Sequence, residues 1–248
     1  MFADARVKAS RKTSRSRSWC AVVLGAVALA VLCPDPAQAH RRDFAFTQDW
    51  KQPSKGEKEL ESKSTYKGTD NTFVQEFELE YGVTDRFSVA PYVVFEREAG
   101  GSLKYHEAKL ETRLQLGKYK TGRILPGLYL EYAKPRNEKG EIEGKLIFSR
   151  YGSNGDDLSL NLIAERSLEH GSEWEKEVSL GYARSVGKRG MRLGGEVIHE
   201  FEDRVTKAGP TLAFAPTDSV WLVVGYAHPL NHRDDERGDL RVNLEYEF

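Results

Sequence analysis

The residues of this chain best suited to acid–base or metal chemistry are six histidines, and they lie far apart: His40, His106, His170, His199, His228 and His232. A metal centre needs several donors that converge on one point. The nearest approach is His228 and His232 followed by Asp234, Asp235 and Asp239. That group reads as a charged loop, with weak cation binding as its alternative, so neither a metal site nor a cofactor is expected. The spacing His-Glu-x-x-His is missing, as is Gly-x-Ser-x-Gly, and the stretch from Gly181 to Lys188 misses phosphate-loop spacing by one residue. Nothing here assembles an enzyme.

The chemically loaded feature is instead a rhythm of carboxylates at every second position. Between Thr72 and Tyr81, Glu76, Glu78 and Glu80 alternate with Phe77, Leu79 and Tyr81. Between Tyr105 and Gly117, Glu107, Lys109, Glu111 and Arg113 alternate with Ala108, Leu110 and Leu114. At the C-terminus Arg241, Asn243, Glu245 and Glu247 alternate with Leu240, Val242, Leu244, Tyr246 and Phe248. Successive strand side chains point to opposite faces, so each segment has one apolar and one charged face. The charged face, continued through the chain, also takes in Glu131, Glu143, Lys145, Glu165, Arg192 and Glu196. If the apolar stripe meets lipid, these residues line a lumen, which must be wet or heavily salt-bridged because unpaired ionised groups are costly in a dry core. A carboxylate-rich wet lumen favours cations over anions.

The elements that must position such a lining read as strands throughout, with no convincing helical period. The alternation predicts twelve: 57–67, 72–81, 86–96, 104–117, 123–133, 140–151, 157–168, 173–186, 190–201, 206–215, 219–228 and 239–248, with a short extra strand inside 44–50 as an option. Most are near the ~9 to 11 residues that cross a bilayer at a tilt. Turns after even-numbered strands read as compact and those after several odd-numbered strands as longer, which is the asymmetry of outer-membrane barrels. Aromatic residues near the strand ends form two girdles: Tyr81, Phe87, Tyr119, Tyr151, Phe214, Trp221, Tyr246 and Phe248 at one end, Phe73, Phe95, Tyr105, Tyr132, Trp174 and Phe201 at the other.

Residues 1–39 have a different composition. They hold six basic side chains, two acids and both cysteines, leaving 31 basic and 36 acidic residues and no cysteine in the remainder. A basic stretch leads into the apolar run Trp19 to Cys33, and Ala37-Gln38-Ala39 then supplies a small-x-small site. This predicts a secretory signal peptide over 1–39, cleaved so that the mature chain starts at His40. Residues 40–56 then form an N-terminal periplasmic segment or a plug, and 57–248 the barrel. The mean hydropathy of -0.58 excludes a multi-span helical membrane protein but not a barrel, whose strands are apolar on alternate positions only.

The segment Phe77-Glu78-Leu79-Glu80-Tyr81-Gly82-Val83-Thr84-Asp85-Arg86-Phe87 resembles the strand, "YG-x-TDR" turn and returning strand of many proteobacterial outer-membrane barrels, among them the group named after a MetA pathway of phenol degradation and similar porins. Phe248, with Tyr246 before it, resembles the C-terminal aromatic signal read by the barrel-assembly machinery. The resemblance implies fold and location and carries no catalytic set. The expected protein is an all-β, antiparallel, up-and-down transmembrane barrel in the outer membrane of a Gram-negative bacterium. It is expected to pass small solutes passively with a weak cation preference, in contact with lipid and not with nucleic acid. Two alternatives stay open: a non-conducting structural or interaction barrel, and a soluble periplasmic barrel that turns its apolar faces inward around a ligand. Some barrels of this size are lipases, which makes His199 a candidate lipid-facing catalytic residue, but the sequence places no serine clearly beside it.

Overall fold

A computed structural model describes residues 41–187, 190–231 and 237–248. The expected signal peptide and cleavage site (Ala37, Ala39 and His40), and the loop residues His232, Asp234 and Asp235, lie outside the described residues.

Twelve strands form: β1 (Lys58–Lys67), β2 (Thr72–Thr84), β3 (Phe87–Arg97), β4 (Lys104–Gln115), β5 (Ile124–Pro135), β6 (Glu141–Tyr151), β7 (Asp156–Ser167), β8 (Glu175–Ser185), β9 (Arg192–Glu200), β10 (Val205–Phe214), β11 (Val220–Pro229) and β12 (Asp239–Glu247). Each pairs antiparallel with its sequence neighbours, and β1 pairs with β12 to close the barrel. Closure leaves no sheet edge, the condition for a β structure surrounded by hydrocarbon. With an even number of strands, both ends of the barrel-forming chain leave the same rim, here called the terminal rim, opposite the loop rim.

The alternation read from the sequence decides the two faces. Leu79, Val93, Leu110, Leu130, Leu146, Leu162, Leu180, Val197 and Leu240 stand exposed on the outer wall, while Glu59, Glu61, Glu78, Glu80, Glu111 and Glu245 are buried inside it. The apolar faces therefore point outward, which overturns the soluble alternative with an apolar interior.

Four details depart from expectation. No strand forms within 44–50, because the amides of that segment are taken by side chains of the barrel interior and not by a neighbouring strand. Strand β2 runs on to Thr84 with an irregularity at Gly82 and Thr84, so the turn shrinks to Asp85 and Arg86. Residues 116–123 make a long connection on the terminal rim, and residues 68–71 and 201–204 make short ones on the loop rim, so connection lengths differ less between rims than expected. Finally, Trp221 and Tyr151 belong to no girdle: both are buried inside the barrel.

Leu180 lies midway along β8, on the outer face, with Leu160 and Val197 across from it. Leu180→Arg should cost about 2–4 kcal/mol of stability in a bilayer, against about 0–1 kcal/mol for Leu230→Arg near the rim. Reversible urea unfolding in lipid vesicles measures the difference; equal costs would mean the wall is not lipid-facing.

Candidate functional site in the barrel lumen

The lumen is occupied on its terminal side by residues 41–53, the chain that precedes β1. Its strongest anchor is Arg42, whose guanidinium donates to Glu61 at 2.8 Å and Glu80 at 2.6 Å and lies within 4.0 Å of Glu78 and 3.9 Å of Glu245. Burial alone would lower its pKa, but the carboxylates of Glu61, Glu80, Glu78 and Glu245 together hold it well above the usual value, so the cation is permanent. The indole Nε1 of Trp221 donates to the Arg42 carbonyl, which explains why this tryptophan faces inward.

One carboxylate then organises the next three residues. Glu196 on β9 accepts from the amides of Ala45 at 2.7 Å, Phe46 at 2.9 Å and Thr47 at 2.6 Å. Convergent amides of this kind stabilise an anion strongly in a dry site. Further along, Asn161 exchanges two bonds with the Gln48 backbone, both 2.7 Å, and Ser149 accepts from the Trp50 amide at 3.0 Å. The Trp50 indole donates to the Pro126 carbonyl, and its ring packs with Leu125 and Tyr151. On the barrel side, Arg113 donates to the Asp49 carbonyl and Gln115 to the Trp50 carbonyl. Asp43 bonds Arg192 at 2.7 Å and Lys51 at 3.1 Å. Burial would lower the Lys51 ammonium, but Asp43, Asp49 and Asp157 raise it above its ordinary value.

Space for the segment comes from small inward residues. A side chain at Gly181 would meet the Phe44 ring at 2.6 Å, and one at Gly225 would meet Ala45 at 2.4 Å. Ala45 packs with Ala213, Trp221 and Val223 in an apolar cluster that Phe46 joins. The lumen is thus divided around its circumference: β8, β10 and β11 offer small and apolar residues to the segment, and β12, β1 and β2 offer carboxylates to Arg42.

On the loop side of the segment lies a cavity of about 190 Å³, floored by residues 44–48 and walled by Glu76, Lys109, Glu131, Glu143, Lys145, Glu165 and Arg241, together with Lys63, Tyr92 and Tyr129. Ion pairs cross this wall: Lys63 with Glu78 at 2.8 Å, Lys109 with Glu131 at 3.1 Å and Glu107 at 3.4 Å, Lys145 with Glu143 at 2.9 Å. Lys145 also sits 4.3 Å over the Tyr129 ring. The expected lumen residues accordingly sort into three places: Glu78, Glu80, Glu111, Arg113 and Glu245 on the charged terminal side, Arg192 and Glu196 on the segment, and the rest on or beside the cavity. Tyr246 and Phe248 stack at 5.9 Å on the outer face of the terminal rim.

Sequence reasoning missed Arg42, Asp43, Trp50, Asn161, Ser149 and Trp221. A signal existed: on β6 to β8 and β11 the inward positions lose their charges and become Ser149, Ser159, Asn161, Ser179, Gly181 and Gly225. A lumen wall that turns small and neutral along part of its length marks a packed object. His199 faces outward beside Phe201 and shares a 2.9 Å hydrogen bond with Thr206. Among the described residues no group of three or more His, Cys, Asp or Glu is placed to hold a metal.

Known structures share this architecture. The COG4313 outer membrane channel from Pseudomonas putida F1 superimposes with a TM-score of 0.64 at 13% identity, over 81% of this chain and 98% of that one. The KdgM porin, solved in complex with disordered oligogalacturonate, gives 0.58 at 10% identity over 77% and 99%, and the NanC porin 0.56 at 8% over 76% and 100%. No protein-family model and no curated protein sequence matches the chain. At such identities the likeness defines the fold, that of the porin-type outer-membrane barrels.

Two substitutions test the anchoring. Glu196→Gln removes the charge that three amides share, and charge-assisted bonds are worth about 1.5–3 kcal/mol; hydrogen exchange at Ala45, Phe46 and Thr47 should quicken by about 10- to 100-fold with the barrel amides unchanged. Arg42→Met leaves a group of carboxylates uncompensated and should cost about 3–5 kcal/mol in denaturant unfolding. An Arg42→Met barrel as stable as the wild type would show that the segment does not neutralise the lumen.

Proposed function

We propose that the protein is an outer-membrane, porin-like channel for small solutes whose lumen is narrowed on the periplasmic side by its own N-terminal segment, residues 41–53. The observation that carries this reading is the lumen itself: an apolar outer wall enclosing a charged interior, with a chain segment held in it by hydrogen bonds and ion pairs and not by a continuous apolar core. The likeness to porins and channels supports it, as does the "YG-x-TDR" turn at Tyr81 to Arg86, which favours the MetA-pathway group as the finer relationship. Export through a signal peptide cleaved after Ala39, and delivery by the barrel-assembly machinery reading Tyr246 and Phe248, complete the picture. On this reading the protein is a passive channel and performs no catalysis.

A weak cation preference follows from the residual charge. Around the cavity Glu76, Glu131, Glu143 and Glu165 are matched by Lys63, Lys109, Lys145 and Arg241, whereas on the terminal side the buried Glu59, Glu61, Glu78, Glu80, Glu111, Glu245 and Glu247 outnumber Arg42 and Arg113. The second reading, a closed structural barrel, is favoured by the same occupied lumen.

Planar-bilayer recording separates the two. The full mature chain should show small conductance steps, and a chain lacking residues 41–53, or carrying Gly181→Val with Gly225→Val, should show steps several-fold larger. Absence of conductance in every folded variant would establish the closed barrel. Under a salt gradient, replacing Glu107, Glu111 and Glu143 together by Gln should move the reversal potential toward anions; an unchanged potential would remove the carboxylates from selectivity.

A further inference from the structure

A hollow of about 640 Å³ lies outside the barrel, on the outer wall near the loop rim. It exists because two outward positions paired across β6 and β7, Gly144 and Ala164, are small where the surrounding wall is not. Leu130 and Lys176 flank that pair in the same row, and Leu146 and Leu162 make the next row toward the terminal rim. Trp174 and Phe201 close the side toward the loops. The hollow thus has an apolar floor and an aromatic lip.

Two cations stand at that lip. Arg166, two residues beyond Ala164 on the same face, holds its guanidinium 5.9 Å over the Trp174 ring. Lys176 is directly across from Ala164, and among the described residues its ammonium meets a single carboxylate in an ion pair, Glu202, at 3.9 Å with both side chains exposed. Glu202 is engaged elsewhere, accepting from the Lys176 amide at 2.8 Å. A guanidinium stacked on an indole presents its N–H edge to a neighbour, a geometry suited to phosphate. An exposed lysine pair of this length contributes little and yields readily to a stronger anion.

We propose that this hollow is a docking site for one phosphorylated acyl lipid of the leaflet on the loop side, with a chain lying over Gly144 and Ala164 and the phosphate held between Arg166 and Lys176. The charge complementarity chooses this occupant. An uncharged lipid would fill the hollow without using the cations, and a second copy of the chain would have to bring carboxylates to the same lip. The inference rests on the membrane reading of the barrel and is independent of whether the lumen conducts.

Native mass spectrometry of the folded mature chain in detergent tests it, with diphosphorylated lipid A and the same lipid stripped of its phosphates as probes. One phosphorylated lipid should be retained at least tenfold more than the dephosphorylated form. R166Q with K176Q should erase that preference, and G144L with A164L should lower retention of both forms. If the filled variant fails to fold, the charge variant, which alters only surface groups, decides alone. Equal retention of the two lipids, or a preference untouched by R166Q with K176Q, overturns the proposal, and a dimer abolished by G144L with A164L replaces it with a contact between copies. A chain that stays soluble without detergent and takes up no lipid fails the membrane reading itself, whereas a detergent-dependent barrel that ignores phosphate fails only this site.

Discussion

The closing seam of the barrel places like charges against one another, and the rest of the interior is arranged around that fact. Across β12, β1 and β2, Glu245, Glu61 and Glu78 form one cross-strand row, and Glu247, Glu59 and Glu80 form the next. Opposed like charges destabilise a strand pair, and each buried carboxylate carries a desolvation cost of several kcal/mol. Arg42 and Lys63 supply the compensation, Arg42 from outside the sheet. Docking of the N-terminal segment therefore stabilises closure of the barrel: without the seam Arg42 has no site, and without Arg42 the seam's carboxylates repel one another.

The same coupling explains why the other side of the lumen is small and neutral. A segment that brings one guanidinium to β1 and β2 must lay its backbone against β6 to β11, and backbone needs acceptors and room more than charge. Glu196 gives three amides a common acceptor, Asn161 and Ser149 satisfy the following ones, and Gly181 and Gly225 let the backbone approach. Trp221 and Tyr151, large aromatics near strand ends, serve this packing from within.

How much of this was legible in the sequence follows from the range of each signal. Strand identity and facing are local: the alternation from Thr72 to Tyr81 or from Leu240 to Phe248 contains its own answer, and all twelve strands form where the period puts them, with Glu78, Glu80 and Glu245 buried inside the wall. Where alternation fades, so does legibility. From Val220 to Val224 every residue is apolar, so the pattern does not tell that Trp221 turns inward. The placement of residues 41–53 is non-local altogether. It depends on carboxylates from 19 to 203 residues away in sequence, and nothing in Arg42 or Asp43 alone announces a partner.

The anchors of the segment also bear on how a conducting state and its selectivity would be related. Glu196 and Asn161 hold backbone, and water can replace those bonds at modest net cost. Arg42 is different, because its departure exposes Glu61, Glu78, Glu80 and Glu245 to one another at the seam. That patch remains compensated only if protons or mobile cations take the place of the guanidinium. A solute path opened by moving the segment, still tethered where the Gly56 amide bonds the Gly82 carbonyl, would thus be lined by the most carboxylate-dense part of the wall. Closure by an internal cation and preference for external ones would then share one physical origin, the excess of glutamate that period-two alternation turned away from lipid.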